Sequence, residues 1–263
     1  MKKLLAVLLV ILALCGVFAV GTSAAVDITA KFTDANFKAA VYETIGKKAP
    51  APIFDSDVAG IEALSVRSRE IKSLAGLEHF TGLKDLLCDN NQLTSLPTLP
   101  SSLEDLACYE NQLTSLPALP SSLKELICPW NQLTSLPALP SSLVLLQCQG
   151  NQLTQLPTLP SSLENLDCFS NQLISLPALP SSLKNIGCSD NNLTSLPTLP
   201  SSLRWLGCGA NLLTMLPTLP PSLYGLECSN NELTSLPTLP LSLERLDCSH
   251  NNLTSLDVIP LRN

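Results

Sequence analysis

Cysteine recurs nine times at intervals of twenty residues, from Cys88 through Cys108 and Cys128 to Cys248, and the same phrase surrounds each copy. A fixed period of this length belongs to solenoids, in which each repeat is one supersecondary unit stacked on the next. In the copy that begins at Leu103, Leu103, Leu106 and Cys108 make the apolar side of a short strand, and Asp105 and Ala107 point the other way. Asn111 ends that strand. Leu113, Leu116 and Leu119 face the same core as the chain turns back. Pro117 and Pro120 keep the return limb extended, near polyproline II geometry, and exclude a helix there. Ser121 and Ser122 turn into the next strand. A single repeat cannot bury its leucines, so stability has to come from the interfaces between neighbours.

The first 25 residues read as a secretory signal peptide rather than as part of the fold. Lys2 and Lys3 form a basic start, Leu4 to Val20 is almost wholly apolar, and Gly21-Thr22-Ser23-Ala24-Ala25 supplies small residues for cleavage. Cys15 does not make a lipoprotein signal, because Leu14 stands where a small residue is needed. No later apolar stretch is long enough to span a bilayer, and a secreted or cell-surface location is expected. Loss of Lys2 and Lys3 leaves 13 basic against 22 acidic side chains, a net charge near −9. An acidic surface repels phosphate backbones, so nucleic acid is not an expected partner.

Export permits disulfides, but the cysteine pattern argues against them. All nine occupy one column, and side chains in register on neighbouring parallel strands lie about 4.8 Å apart, beyond the ~3.8 Å that a disulfide prefers between Cβ atoms. They read as buried free thiols that act as small hydrophobes. A metal ladder would need interleaved histidine, and only His250, near Cys248, approaches that pattern; no metal or cofactor is expected. The asparagine column, Asn91 to Asn251, reads as a buried ladder whose amides bond backbone groups of adjacent repeats.

The string Leu-x-x-Leu-x-Cys-x-x-Asn-x-Leu-x-x-Leu-Pro resembles the bacterial leucine-rich repeat, and the Leu-Pro-x-Leu-Pro return is similar to the short repeats of secreted bacterial effectors. Nine units begin at Leu83, Leu103, Leu123, Leu143, Leu163, Leu183, Leu203, Leu223 and Leu243. A longer unit precedes them, in which Ile61, Leu64, Val66, Ile71, Leu74, Gly76, Leu77 and Phe80 fill a 22-residue frame like that of internalin-type repeats. Arg69 stands there in place of the asparagine. The resemblance implies a leucine-rich repeat solenoid of the strand-rich α/β class. Its parallel sheet lines the concave side, and extended polyproline-like limbs line the convex side. Residues 26–60 read as a short helical cap and linker, with Thr33-Asp34 capping a helix over Asn36 to Ile45, and residues 61–263 as the solenoid. Asp55 and Asp57 read as a solvated turn, since the full acidic loop of a calcium site is missing. Effectors with similar repeats often carry a ubiquitin-ligase domain, but nothing after Asn251 resembles one, so ligase activity is not expected to carry over.

In such an arc the second, third, fifth, seventh and eighth places of each unit are the ones expected to face a ligand. After Phe80 the chain has five aromatic residues, Tyr109, Trp130, Phe169, Trp205 and Tyr224, and every one falls at such a place. Large aromatics outside a core favour a binding surface. Glu104, Asp105 and Glu110 are candidate polar contacts beside them. No catalytic constellation emerges, and His79 and His250 lie at opposite ends of the repeats. The leading reading is therefore a non-enzymatic protein-binding module. The alternative is a carbohydrate-binding, adhesive surface, since exposed Trp and Tyr also stack on sugar rings. At the far end, the strand near Leu243 to Cys248 is expected to leave an open edge, with Leu253, Leu256, Val258, Ile259 and Leu261 as partial cover. Glu244, Arg245 and Asp247 discourage pairing with stray chains. That end is expected to fray first, or to dock onto a second copy or a partner.

Overall fold

The computed structural model describes residues 25–254. The signal-peptide reading (Ala25 apart) and the tail residues Leu256, Val258, Ile259 and Leu261 lie outside the described residues. Among the described residues, ten strands of three residues each follow one another in a single sheet, in sequence order and all parallel. They are β1 (Ala63–Ser65), β2 (Asp85–Leu87), β3 (Asp105–Ala107), β4 (Glu125–Ile127), β5 (Leu145–Gln147), β6 (Asn165–Asp167), β7 (Asn185–Gly187), β8 (Trp205–Gly207), β9 (Gly225–Glu227) and β10 (Arg245–Asp247). The register is that of the repeat, with Asp105 beside Glu125, Leu106 beside Leu126 and Ala107 beside Ile127. The middle leucine or isoleucine of each strand from β1 to β9 is buried, as are its leucines at the first and eleventh places of the 20-residue units. The return limb carries no helix, and Leu116 and Leu119 pack on the core while remaining partly exposed.

Three hydrogen-bonded columns hold the repeats in register. Asn111 accepts at Oδ1 from the Leu93 N–H (2.9 Å), and its Nδ2 donates to the carbonyls of Cys88, Cys108 and Tyr109 (3.1, 3.2 and 3.2 Å). Each asparagine thus ties its own strand end to the preceding repeat. The first repeat has Arg69 at this place, and Asn91 compensates by accepting from both Arg69 N–H and Ile71 N–H at 3.0 Å. The second serine of each Ser-Ser pair forms another column, as where Ser162 Oγ donates to the Leu143 carbonyl at 2.6 Å. The third is the backbone itself, where each cysteine N–H from Cys88 to Cys228 donates to the next repeat, as from Cys148 to the Asp167 carbonyl at 2.8 Å.

Helix α1 (Ala35–Thr44) closes the N-terminal end of this core. Asp34 caps it by accepting from the N–H groups of Asn36 and Phe37, both at 2.9 Å. Its Phe37, Ala40, Val41 and Tyr42 are buried, and Phe37 meets Phe32, which in turn meets Phe80 of the first repeat. The same Asp34 carboxylate accepts from Lys72 N–H at 2.8 Å, and Glu43 pairs with Arg69 at 2.8 Å, so cap and first repeat are tied by polar contacts as well. Asp55 and Asp57 correct the sequence reading. They belong to a short helix α2 (Asp55–Val58), in which Asp57 accepts from Phe54 N–H at 2.7 Å and pairs with Lys47, while Asp55 accepts from Val26 N–H at 2.9 Å. Asp57 thus caps the helix start, where carboxylates are favoured, and Asp55 ties the helix to the N-terminal segment, so neither is merely part of a solvated turn.

Candidate functional site

All nine ladder cysteines are free; eight are buried and Cys248 is half-buried. Burial pushes the thiols of Cys128 and Cys188 up to about 12, because the thiolate would be formed in a dry column. Such thiols are poor nucleophiles and poor metal ligands. Among the described residues no group of three or more His, Cys, Asp or Glu is placed to hold a metal ion. On brief alkylation of the native protein, Cys248 is expected to react before any other ladder thiol, with the rest labelling only on unfolding. Mass spectrometry of the peptides reads the order, and early labelling of Cys148 would contradict the dry column.

The strands hold only the third to fifth places of each repeat, so the candidate residues divide into two groups. Asp105 and Trp205 stand at third places within strands, and Glu104 and Tyr224 immediately precede their strands. Tyr109 and Phe169, both half-buried, lie two residues past their strands. Glu110 and Trp130 occupy the eighth place, where every repeat from Asn90 to His250 turns with φ between 50° and 65°. This left-handed turn is normally left to Gly, Asn or Asp. It is held here because the asparagine that follows donates to the preceding carbonyl, and the eighth-place N–H itself donates to the next repeat, as from Trp130 to the Gln149 carbonyl at 3.0 Å.

The two tryptophans share a device that the sequence reading missed. Each leans over the same place in the next repeat, and that place is glycine. A Cβ at Gly150 would lie 2.2 Å from the Trp130 ring, and one at Gly225 would lie 2.1 Å from the Trp205 ring. Asp167 lies over Gly187 in the same way, with Oδ1 2.7 Å from a Cβ there. Trp130, resting over Gly150, is 52% exposed, and Trp205 is half-buried. Trp205 meets Tyr224 at 5.8 Å between ring centroids, tilted by 50°, with Tyr224 38% exposed. The signal that could have found this is a glycine one period after each tryptophan. Gly225→Ala is therefore expected to swing the Trp205 ring off its seat and break the pair with Tyr224, with little loss of stability. Near-ultraviolet circular dichroism would register it, and an unchanged spectrum would show that the indole does not rest there.

The N-terminal third of the face is acidic. Asp85, Asp105 and Glu125 stand side by side on β2, β3 and β4, around a depression of about 380 Å³ floored by Leu87, Ala107 and Ile127. Desolvation, a hydrogen bond with Asp85 and the charges of Glu125, Asp85 and Glu104 push the Asp105 carboxyl up to about 6. The folded chain thus binds a proton that the unfolded chain, near 3.8, has lost. The resulting cost is absent below about pH 4, grows as pH rises towards 6, and is fully present above it. Asp105→Asn is expected to flatten the fall in the urea midpoint across that window. An identical pH profile for the variant would contradict the raised Asp105 carboxyl. Glu104 pairs with Lys124, and the same column pairs Glu62 with Lys84 at 3.0 Å and Glu164 with Lys184 at 2.6 Å. Tyr109 accepts at its hydroxyl from Arg67 Nη2 at 3.5 Å, while Arg67 Nε pairs with the buried Asp89 at 2.6 Å. The polar tips of Glu104 and Tyr109 are thus already engaged within the fold, whereas Trp130 and Tyr224 are exposed and Trp205 is half-buried.

No protein-family model matches the sequence, and no curated protein matches it. Among solved structures, the chain is similar to YopM from Yersinia enterocolitica WA-314, at 42% identity and a TM-score of 0.74 over 76% of this chain and 44% of that one. It is similar to the functional domain of InlJ from Listeria monocytogenes, described as including a cysteine ladder, at 31% identity and a TM-score of 0.82 over 89% and 54%. It is also similar to YopM of Yersinia pestis, described as a leucine-rich effector protein, at 36% identity and a TM-score of 0.68 over 76% and 63%. The chain thus spans between 44% and 63% of the length of these structures. Repeats of twenty residues and a single parallel sheet agree with these likenesses, the cysteine column matches the ladder described for the second, and the chain is a bacterial leucine-rich repeat protein.

Proposed function

We propose that the chain is a non-enzymatic binding module, secreted or held at the cell surface, that recognises a partner protein through the concave face of its sheet. The observation that carries this reading is the Trp205–Tyr224 pair, in which a half-buried Trp205 is seated on Gly225 and Tyr224 is exposed. Large rigid aromatics presented without a partner are the residues that dominate protein interfaces. Trp130, seated on Gly150 at the turn beside the sheet, extends the surface. Phe169, Tyr109, Glu104, Asp105 and Glu110 contribute surrounding contacts, and the edge of β10 is a further surface for self-association.

The test is a Trp130→Ala, Trp205→Ala double variant. Its stability is expected to stay within about 1 kcal/mol of the parent, because neither indole fills the core. Capture of the specific partner protein, identified beforehand with the parent chain, is expected to weaken by at least about tenfold. Undiminished capture would remove the concave face from the interface. Selective retention on a glycan array, lost in the same variant, would replace the protein ligand by a carbohydrate.

A further inference from the structure

Among the described residues β10 is the last strand, and only its inner edge is paired. The hydrogen bonding of the earlier repeats shows which groups its outer edge leaves open. Tyr224 C=O accepts from the N–H groups of Glu244 and Arg245 (2.8 and 3.0 Å), and Cys228 N–H donates to the Asp247 carbonyl (2.7 Å). The equivalent groups one repeat on are Glu244 C=O and Cys248 N–H. Strand alternation turns Leu246 N–H and C=O to the same side. Beneath them the core is less well covered than elsewhere. Leu246, Cys248 and Leu253 are each only partly buried, where Leu226, Cys228 and Leu233 of the preceding repeat are fully buried.

This edge is self-complementary. Suppose a second copy lies antiparallel across a two-fold axis at Leu246. Leu246 then exchanges both of its backbone bonds with Leu246 of the second copy, and each Cys248 N–H meets a Glu244 carbonyl, so every open group is satisfied. On the outward face of the same ladder, Arg245 stands opposite Asp247 of the second copy, twice over, at the spacing where opposite charges attract. Among the described residues no acidic group lies within ion-pair distance of Arg245. Asp247 accepts at Oδ1 from the N–H and hydroxyl of its neighbour Ser249 (3.0 and 2.7 Å), with Ser229 also near its carboxylate, and no basic group of the described residues forms an ion pair with it. We infer that the β10 edge is the interface of a symmetric end-to-end homodimer, in which two sheets join antiparallel through Arg245, Leu246 and Asp247. The charges that turn away a foreign strand are the ones that select an identical copy.

Sedimentation of the full-length chain over roughly micromolar to millimolar concentration tests this. The expected mass rises towards that of a dimer. Arg245→Asp and Asp247→Arg should each weaken association by about tenfold or more, since each places like charges opposite one another. Both positions are exposed, so both variants should keep the parent circular dichroism. The decisive arm mixes the two single variants in equal amounts, for which every facing pair is again opposite in charge. Dimer should return in the mixture, and also in the double exchange Arg245→Asp, Asp247→Arg. A chain that stays monomeric throughout would overturn the inference and assign the edge to another occupant, residues 255–263 included. Dimers that survive in either single variant would move the contact elsewhere on the molecule.

Discussion

Replacing Asn151 by alanine is expected to lower stability by about 3 kcal/mol, although no core volume of consequence is lost. The reason lies in what the amide leaves behind. Asn151 accepts from the buried Leu133 N–H at 3.0 Å, and donates to the carbonyls of Cys128, Cys148 and Gln149 at 3.1, 3.0 and 3.4 Å. Removing it strands a buried donor and leaves buried carbonyls short of a partner, in two repeats at once. Asn251 makes the matching set of bonds at the end of the described chain but is only half-buried. Water can replace its amide, so Asn251→Ala should cost about 1 kcal/mol. Urea denaturation of both variants measures the contrast. Equal losses would mean that burial does not set the strength of the ladder.

Replacing Cys148 by serine is expected to cost about 2 kcal/mol. The thiol sits in a fully buried column between Cys128 and Cys168. Among the described residues its sulfur makes no hydrogen bond. Cys128 differs, since its Sγ reaches the Gln147 carbonyl at 3.4 Å. A serine there inherits an acceptor, so Cys128→Ser should be milder than Cys148→Ser. The same denaturation experiment ranks them, and a reversed order would show that the column is wetter or more yielding than its burial implies.

The stacked architecture was legible in the sequence because every repeat obeys one pattern. Leu103, Leu106 and Cys108 had to share a side, Pro117 and Pro120 had to exclude a helix, and Asn111 had to find backbone partners. Less legible was the turn after the strand, because Glu110, Trp130 and Ala210 give no local sign of a left-handed conformation. Their turn is imposed by hydrogen bonds to neighbouring repeats, a tertiary constraint that overrides residue preference. The two acidic residues of α2 misled for a similar reason. Their partners, Val26 and Lys47, are remote in sequence. At the candidate site the aromatics were identifiable as outward-facing, but their seats were not recognised, although Gly150 and Gly225 stand one period after Trp130 and Trp205. The raised Asp105 carboxyl depends in part on the register of β2 and β3, which brings two carboxylates side by side.

The concave face is tested most directly by placing a photo-crosslinking amino acid on each side of the same repeat. Gln147 lies on β5, at an outward place of the sheet, and Thr158 is exposed on the return limb. With the parent partner bound, irradiation should join it to the chain from position 147 and not from position 158, as read by mass spectrometry of the adducts. Crosslinks that form from position 158 alone, or equally from both, would contradict recognition through the sheet.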